Sequence, residues 1–199
     1  MQALACNVDW DKLDSAAVQS IIEHAKQAEI TEFLLNGARL GGGGSILTID
    51  RSTPFDPATF IGDGWSIWRG PVNGNGLGGA EQQCKKSLAL TEVNIAKIRL
   101  KTCLEGKEMD VRGDRFLRRL KRGTILLLDA KIGQTLLENP NCIPEDWKKT
   151  PVYFMGTELR APNGNRCVLY LYWIGTRWLS RGHSLGDSID SFQPAAVGY

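Results

Sequence analysis

The apolar positions of this chain change their spacing near residue 41. Before it they recur as on a helix. In "DSAAVQSIIEHAKQAEI" and the residues just before it, Leu13, Ala17, Ile21, Ala25 and Ala28 form one stripe, because positions three and four apart share a helix face, and Asp14 or Ser15 stands where an N-cap belongs. A second short helix, "EFLLN", follows Thr31 and ends at Asn36 and Gly37, a C-terminal stop. "GGGGS" at residues 41–45 then predicts a flexible joint, since consecutive glycines carry a large conformational entropy. The chain therefore divides into an N-terminal helical appendage over residues 1–40 and an α+β domain over residues 45–199.

Beyond the joint, short apolar runs alternate with turn signals. "SILTID" and "GWSIWRG" read as strands, with one helical turn between them in "FDPATFIG", where Asp56 caps and Pro57 takes the first helical position. "PVNGNGLGGAEQQ" reads as a mobile surface loop on its glycines. In "TEVNIAKIRLKTCL", Val93, Ile95, Ile98 and Leu100 alternate with polar residues on either side of Ala96, which suggests a strand with a bulge and leaves a helix as the alternative. "GDRFLRRLKRG" places Phe116, Leu117 and Leu120 on one stripe and cations on the rest, the pattern of a short amphipathic basic helix. "TILLLDA" predicts a buried strand, Asp129 the cap of a helix over "AKIGQTLLEN" that stops before Pro140, and "IPEDWKK" a single turn begun by Pro144.

The last third predicts a three-stranded antiparallel meander over about residues 151–183. "VYFMGTELR" and "RCVLYLYW" flank "APNG", whose Asn163 and Gly164 are a hairpin signal, and "IGT" turns the chain into "RWLSRGH". With a period of two, Cys167, Leu169, Leu171 and Trp173 face one side of the middle strand, and Val168, Tyr170 and Tyr172 the other. Trp173 is expected to pack on helices, and Tyr153 to lie beside the tyrosines across the hairpin.

Composition narrows the class. With 42% hydrophobic and 23% charged residues the chain can bury a core without disulfide or metal staples. No apolar run approaches the roughly 18 residues of a membrane span, and "MQALACNVDWDKLD" lacks the basic start of a secretory signal, so a cytoplasmic protein with no membrane partner is expected. The five scattered cysteines, without CxxC spacing, suit reduced thiols. Charge is unevenly spread: residues 1–63 hold nine acids against four bases, and residues 64–199 hold twenty bases against thirteen acids. This predicts either an acidic element docking on a basic one or a basic face for an anionic partner.

The stretches "IDRSTPFDPATFIGDGWSIWRGP", "SLALTEVNIAKI", "RLKRGTILLLDAKIGQTLLENPNCIPEDWKK" and "GTELRAPNGNRCVLYLYW" resemble a recurring family of bacterial hypothetical proteins over roughly residues 47–178. The resemblance implies one coherent unit. It implies no activity, cofactor or site residue.

Candidate chemistry must come from the residues. "GNGLGG" fits GxGxxG through Gly74, Gly76 and Gly79, yet Pro71 separates it from the preceding strand and no apolar helix follows, so no dinucleotide is expected. A thiol with His183 or His24 and Asp187 would make a nucleophilic set, but no local signature marks one. Two histidines 159 positions apart and no paired cysteines give no metal-ligand spacing, and neither cofactor nor metal is expected. The acid pairs Glu105 with Glu108 and Glu145 with Asp146 read as solubility and capping residues.

What remains is residues 97–122, with ten bases against four acids. The functional expectation is a non-enzymatic binding module for nucleic acid or a protein partner. Arg115, Arg118, Arg119, Lys121 and Arg122 would supply charge, and Tyr170 and Tyr172 a stacking surface. The plainer alternatives are a solvated helix face and ordinary cross-strand aromatic pairs. Two other readings stand beside it: a small hydrolase or transferase with His183, Glu158 or Asp187 converging in a pocket between helices and meander, and a purely structural or assembly protein. The sequence sets no oligomeric state.

Overall fold

The computed structural model describes Glu23, residues 46–71 and residues 74–198. The chain divides into two units, Met1–Gly42 and Gly43–Tyr199. Apart from Glu23, which is helical, the helices expected in residues 1–40, the glycine joint and Cys6 lie outside the described residues. The second unit has both helices and sheets and is α+β.

It runs β1 (Ile46–Thr48), α1 (Pro57–Phe60), β2 (Ser66–Ile67), α2 (Lys85–Leu88), β3 (Glu92–Asn94), β4 (Arg99–Lys101), β5 (Asp110–Arg112), α3 (Gly113–Arg122), β6 (Leu126–Leu127), α4 (Ala130–Glu138), β7 (Val152–Arg160), β8 (Arg166–Trp173), β9 (Trp178–Ser184), β10 (Ser188–Asp190) and β11 (Ala195–Gly198). A seven-stranded sheet forms the centre, in the order β4-β11-β7-β8-β9, with β2 added on β7 and β6 on β11. β1 with β3, and β10 with β5, make two separate antiparallel ribbons.

Strands β7, β8 and β9 pair antiparallel in succession, which sets Tyr153, Tyr170 and Arg181 side by side. Gly164 takes φ +84° in the turn after β7, a conformation that glycine adopts without penalty. The register of β7 shifts between Phe154 and Glu158. Gly156 sits in that bulge, where a Cβ would lie 2.5 Å from the Leu127 carbonyl oxygen, so only glycine admits the neighbouring backbone.

Two apolar layers cover the sheet. On one face Ile132 and Leu136 of α4 pack with Phe154, Leu169, Leu171, Trp147 and Trp178. On the other, Phe116, Leu117 and Leu120 of α3 pack with Tyr153, Met155, Val168, Leu185 and Ile189. Each of those three α3 side chains is buried, worth about 1.5–3 kcal/mol apiece by transfer. Asp129 starts α4, accepting from the Lys131 and Ile132 amides at 2.9 and 3.2 Å. The same buried carboxylate accepts from Ser87 Oγ at 2.6 Å and from Arg51 at 2.9 and 3.1 Å, tying α4 to the chain after β1.

Three expectations change. Residues 92–101 are not one bulged strand: a 3-10 turn over Ile95–Lys97, capped by the Asn94 side chain, separates β3 and β4, which belong to different sheets. The glycine loop is tied down, with Arg69 N–H donating to the Gly76 carbonyl, Gly70 N–H to that of Ala80, and Gly76 lying on the Trp68 ring. The segment after Ser184, read without elements from the sequence, supplies β10 and β11, and β11 enters the middle of the sheet between β4 and β7. It pairs parallel with β7 at Ala195 and Tyr153. Ala195 and Ala196 are fully buried, small enough for both layers to close over them.

Candidate functional site

Helix α3 turns its apolar stripe to the sheet and its cations outward, and neighbouring acids already hold several of them. Arg119 is only 10% exposed; it donates to both Glu108 carboxylate oxygens and to the Cys103 carbonyl, with Glu105 at 3.1 Å. The Arg119 hydrogen bond holds the Glu108 carboxyl down at about 2, well below the usual range. Lys121 Nζ reaches Glu158 Oε1 at 2.6 Å. Arg119 and Lys121 are therefore committed within the fold. Arg115, Arg118 and Arg122 remain exposed on the outer side of α3.

The neutralising acids are local: Glu105 and Glu108 before the helix, Asp114 in its first turn, and Glu158 from β7. Glu158 is the least expected of them, a side chain 2% exposed that binds Lys121 on one oxygen and Arg166 Nε on the other. A buried carboxylate needs this pairing to stay charged. Arg166 is 13% exposed, and β8 carries it on the same side as Val168, Tyr170 and Tyr172.

Beside Arg166 lies a surface recess of about 270 Å³ between the start of α3 and the ends of β8 and β9. Arg112, Arg118, Arg166, Asp114, Asn165 and Ser184 line it. Asp114 stands 3.3 Å from Arg112 Nε and 3.5 Å from the nearest Arg118 terminal nitrogen. Its Oδ1, although buried, receives no hydrogen bond among the described residues.

The tyrosines form a row rather than a flat platform. Tyr153 is buried and stacks on Tyr170 with centroids 5.2 Å apart, Tyr172 follows at 5.4 Å, and the Arg181 guanidinium lies 5.7 Å over the Tyr172 ring. Tyr170 and Tyr172 are half-buried, so ring faces and hydroxyls stay partly accessible. His183 sits edge-on to Tyr153, with Nδ1 3.4 Å from the phenol oxygen and a buried Nε2 that meets no hydrogen-bond partner among the described residues. Burial lowers its pKa, with Asp187 opposing the shift.

His24 and Cys6 lie outside the described residues, and of the other catalytic candidates weighed from the sequence only Asp187 acts on His183. Val168 lies between Glu158 on β7 and His183 on β9, so the two are about 10 Å apart at strand spacing. Cys167 packs in the cluster opposite to the one that holds Val168, away from His183, and burial raises its thiol pKa to about 11. Burial raises Cys103 and Cys142 as well, the reverse of an activated nucleophile. Glu145 and Asp146 pair with Lys148 and Lys149. Among the described residues no group of three or more His, Cys, Asp or Glu side chains is placed to hold a metal. The GxGxxG loop leads into the four-residue α2, too short for a dinucleotide cradle. No described helix is long and apolar enough to cross a membrane.

Sequence reasoning singled out five cations of α3 and two tyrosines, and passed over Arg166 and Arg181. Arg166 was within reach, because it shares the period-two side of Tyr170 and Tyr172. Its partner Glu158 was not, because the bulge at Gly156 resets which β7 residues share a face. No family model, curated protein or solved structure matches the chain.

Proposed function

We propose that this chain is a non-enzymatic binding module for single-stranded nucleic acid. Phosphates lie along Arg112, Arg115, Arg118 and Arg122, and bases stack at Tyr170 and Tyr172. One observation carries the reading: the apolar side of α3, Tyr153 and Tyr170 share a single cluster on one face of one sheet, and Tyr172 follows Tyr170 on the same side of β8. Cations and accessible rings therefore flank the same surface. A charged track beside sequence-tolerant stacking groups is what a single strand requires.

A protein partner is the weaker version of this reading, because docking faces centre on exposed apolar side chains. Among the described residues the exposed large hydrophobics, Leu77, Leu88, Met109, Ile174 and Phe192, lie outside α3 and β8. The reading takes β7, β8 and β9 as the three-stranded meander that carries the site. It places the module in the cytosol, within the bacterial family that residues 47–178 resemble.

Fluorescence anisotropy with a labelled single-stranded oligonucleotide tests it. Neutralising three or four phosphates predicts a slope of log K against log salt of about −2 to −3. Arg115→Glu, Arg118→Glu and Arg122→Glu together should abolish binding, and Tyr172→Ala should weaken it with the slope unchanged. Absence of binding at low salt, or indifference to the charge reversal, overturns the proposal.

A further inference from the structure

We infer that the recess at the start of α3 seats a phosphomonoester, the terminal phosphate of the bound strand. This rests on the nucleic-acid reading of the same face. Three observations lead to it: the charge surplus of the recess, the preorganised donors in it, and its size.

Arg112, Arg118 and Arg166 line the recess against one carboxylate, Asp114. Glu158 is balanced by Lys121 behind it. The surplus is two positive charges. A terminal phosphate carries about −1.5 to −2 at pH 7, whereas a phosphodiester within a chain carries one negative charge, so the recess matches the end better than the middle.

Arg166 is the fixed donor. Its Nε is anchored on the buried Glu158, which sets the plane of the guanidinium, and its two Nη groups make no hydrogen bond to any described residue. Arg112 and Arg118 are 65% and 62% exposed and stand 3.3 and 3.5 Å from Asp114, beyond the roughly 2.7–2.9 Å of a strong charge-assisted bond. They are free to turn toward a phosphate. Ser184 Oγ accepts from the Gly186 amide, which leaves its own proton to donate, and Asn165 brings its side-chain amide to the rim. The helix end adds little, because the Gly113 and Asp114 amides already donate to the Asp187 and Leu185 carbonyls.

A volume of 270 Å³ falls below the roughly 300–1,000 Å³ of sites that enclose whole small molecules. It suits a phosphoryl group and the edge of its sugar. Tyr170 lies four residues along β8 from Arg166, about 13 Å away at strand rise, so a strand held by its end reaches the tyrosine row a few nucleotides in.

The test uses three versions of one internally labelled single-stranded oligonucleotide: 5′-phosphorylated, 3′-phosphorylated and without terminal phosphate. One phosphorylated form should bind about tenfold more tightly than the bare form. Arg112→Gln, and separately Asn165→Asp, both at exposed positions that fold readily, should remove the difference, and Asn165→Asp, which lies outside the cation track, should leave the bare form within about threefold of the parent. Equal binding of all three probes overturns this inference and leaves the nucleic-acid reading standing. Binding of none overturns both. A preference that survives both substitutions puts the phosphate elsewhere and overturns the inference.

Discussion

Replacing Glu158 by Gln separates stability from binding at a single atom. The carboxylate is 2% exposed and holds Lys121 at 2.6 Å and Arg166 through Nε. Removing one member of a buried ion pair costs about 3–5 kcal/mol, because the partner is left desolvated and uncompensated. Here the two partners differ. Lys121 is 47% exposed and recovers water by a rotamer change, whereas Arg166 at 13% cannot, so the loss is set mainly by Arg166 and falls to about 2–4 kcal/mol. For a chain of this size that lowers Tm by roughly 5–15 °C. The recess meanwhile gains one positive charge, so oligonucleotide affinity at a temperature where the variant is folded should hold or rise. Circular dichroism melts with urea titrations measure the first, and anisotropy the second. A Glu158→Gln, Arg166→Gln double variant should regain much of the lost stability, since it removes the stranded cation. A melt within about 1 °C of the parent for Glu158→Gln would refute the reasoning, as would a double variant less stable than the single by the full cost of Arg166.

Asp129→Ala removes the cap of α4 and strands Arg51, whose side chain is 18% exposed, and is expected to cost about 3–5 kcal/mol in urea unfolding; a loss under about 1 kcal/mol would show that the Asp129 cluster does not hold α4 to the chain after β1. His183 should titrate below its ordinary 6.5 when its ring protons are followed by NMR, because burial disfavours the imidazolium. Since its folded pKa is depressed, the unfolded chain binds the proton more tightly, and stability should be full above about 6.5 and decline as pH falls below it. A ring titrating at or above 6.5 contradicts its burial edge-on to Tyr153 and Tyr170.

The cations of α3 were visible as a run in the sequence, but their division into free and committed was not. Arg119 finds Glu108 eleven residues away, across the short β5, while Lys121 finds Glu158 at a separation of 37. Charge counting treats such residues alike. Solvent exposure separates them, and exposure depends on which strand the helix lies across. The recess was invisible for the same reason: Arg112, Arg118 and Arg166 come from β5, α3 and β8.

The amino-acid sequence by itself determined the parts governed by near neighbours. Asp56 and Pro57 start α1, Asp129 starts α4, the stripe of Phe116, Leu117 and Leu120 orients α3, and alternation assigns Leu169 and Val168 to opposite faces of β8. Such signals act over two to four residues, through capping and side-chain direction. Tertiary structure alone decided that β11 lies parallel to β7 in the middle of the sheet, that residues 92–101 divide between two sheets, and that Gly156 bends β7 so that Glu158 meets Lys121 and Arg166. Short strands such as Ala195–Gly198 carry no period long enough to read, and their place is chosen by which neighbours remain unpaired once the longer strands have assembled.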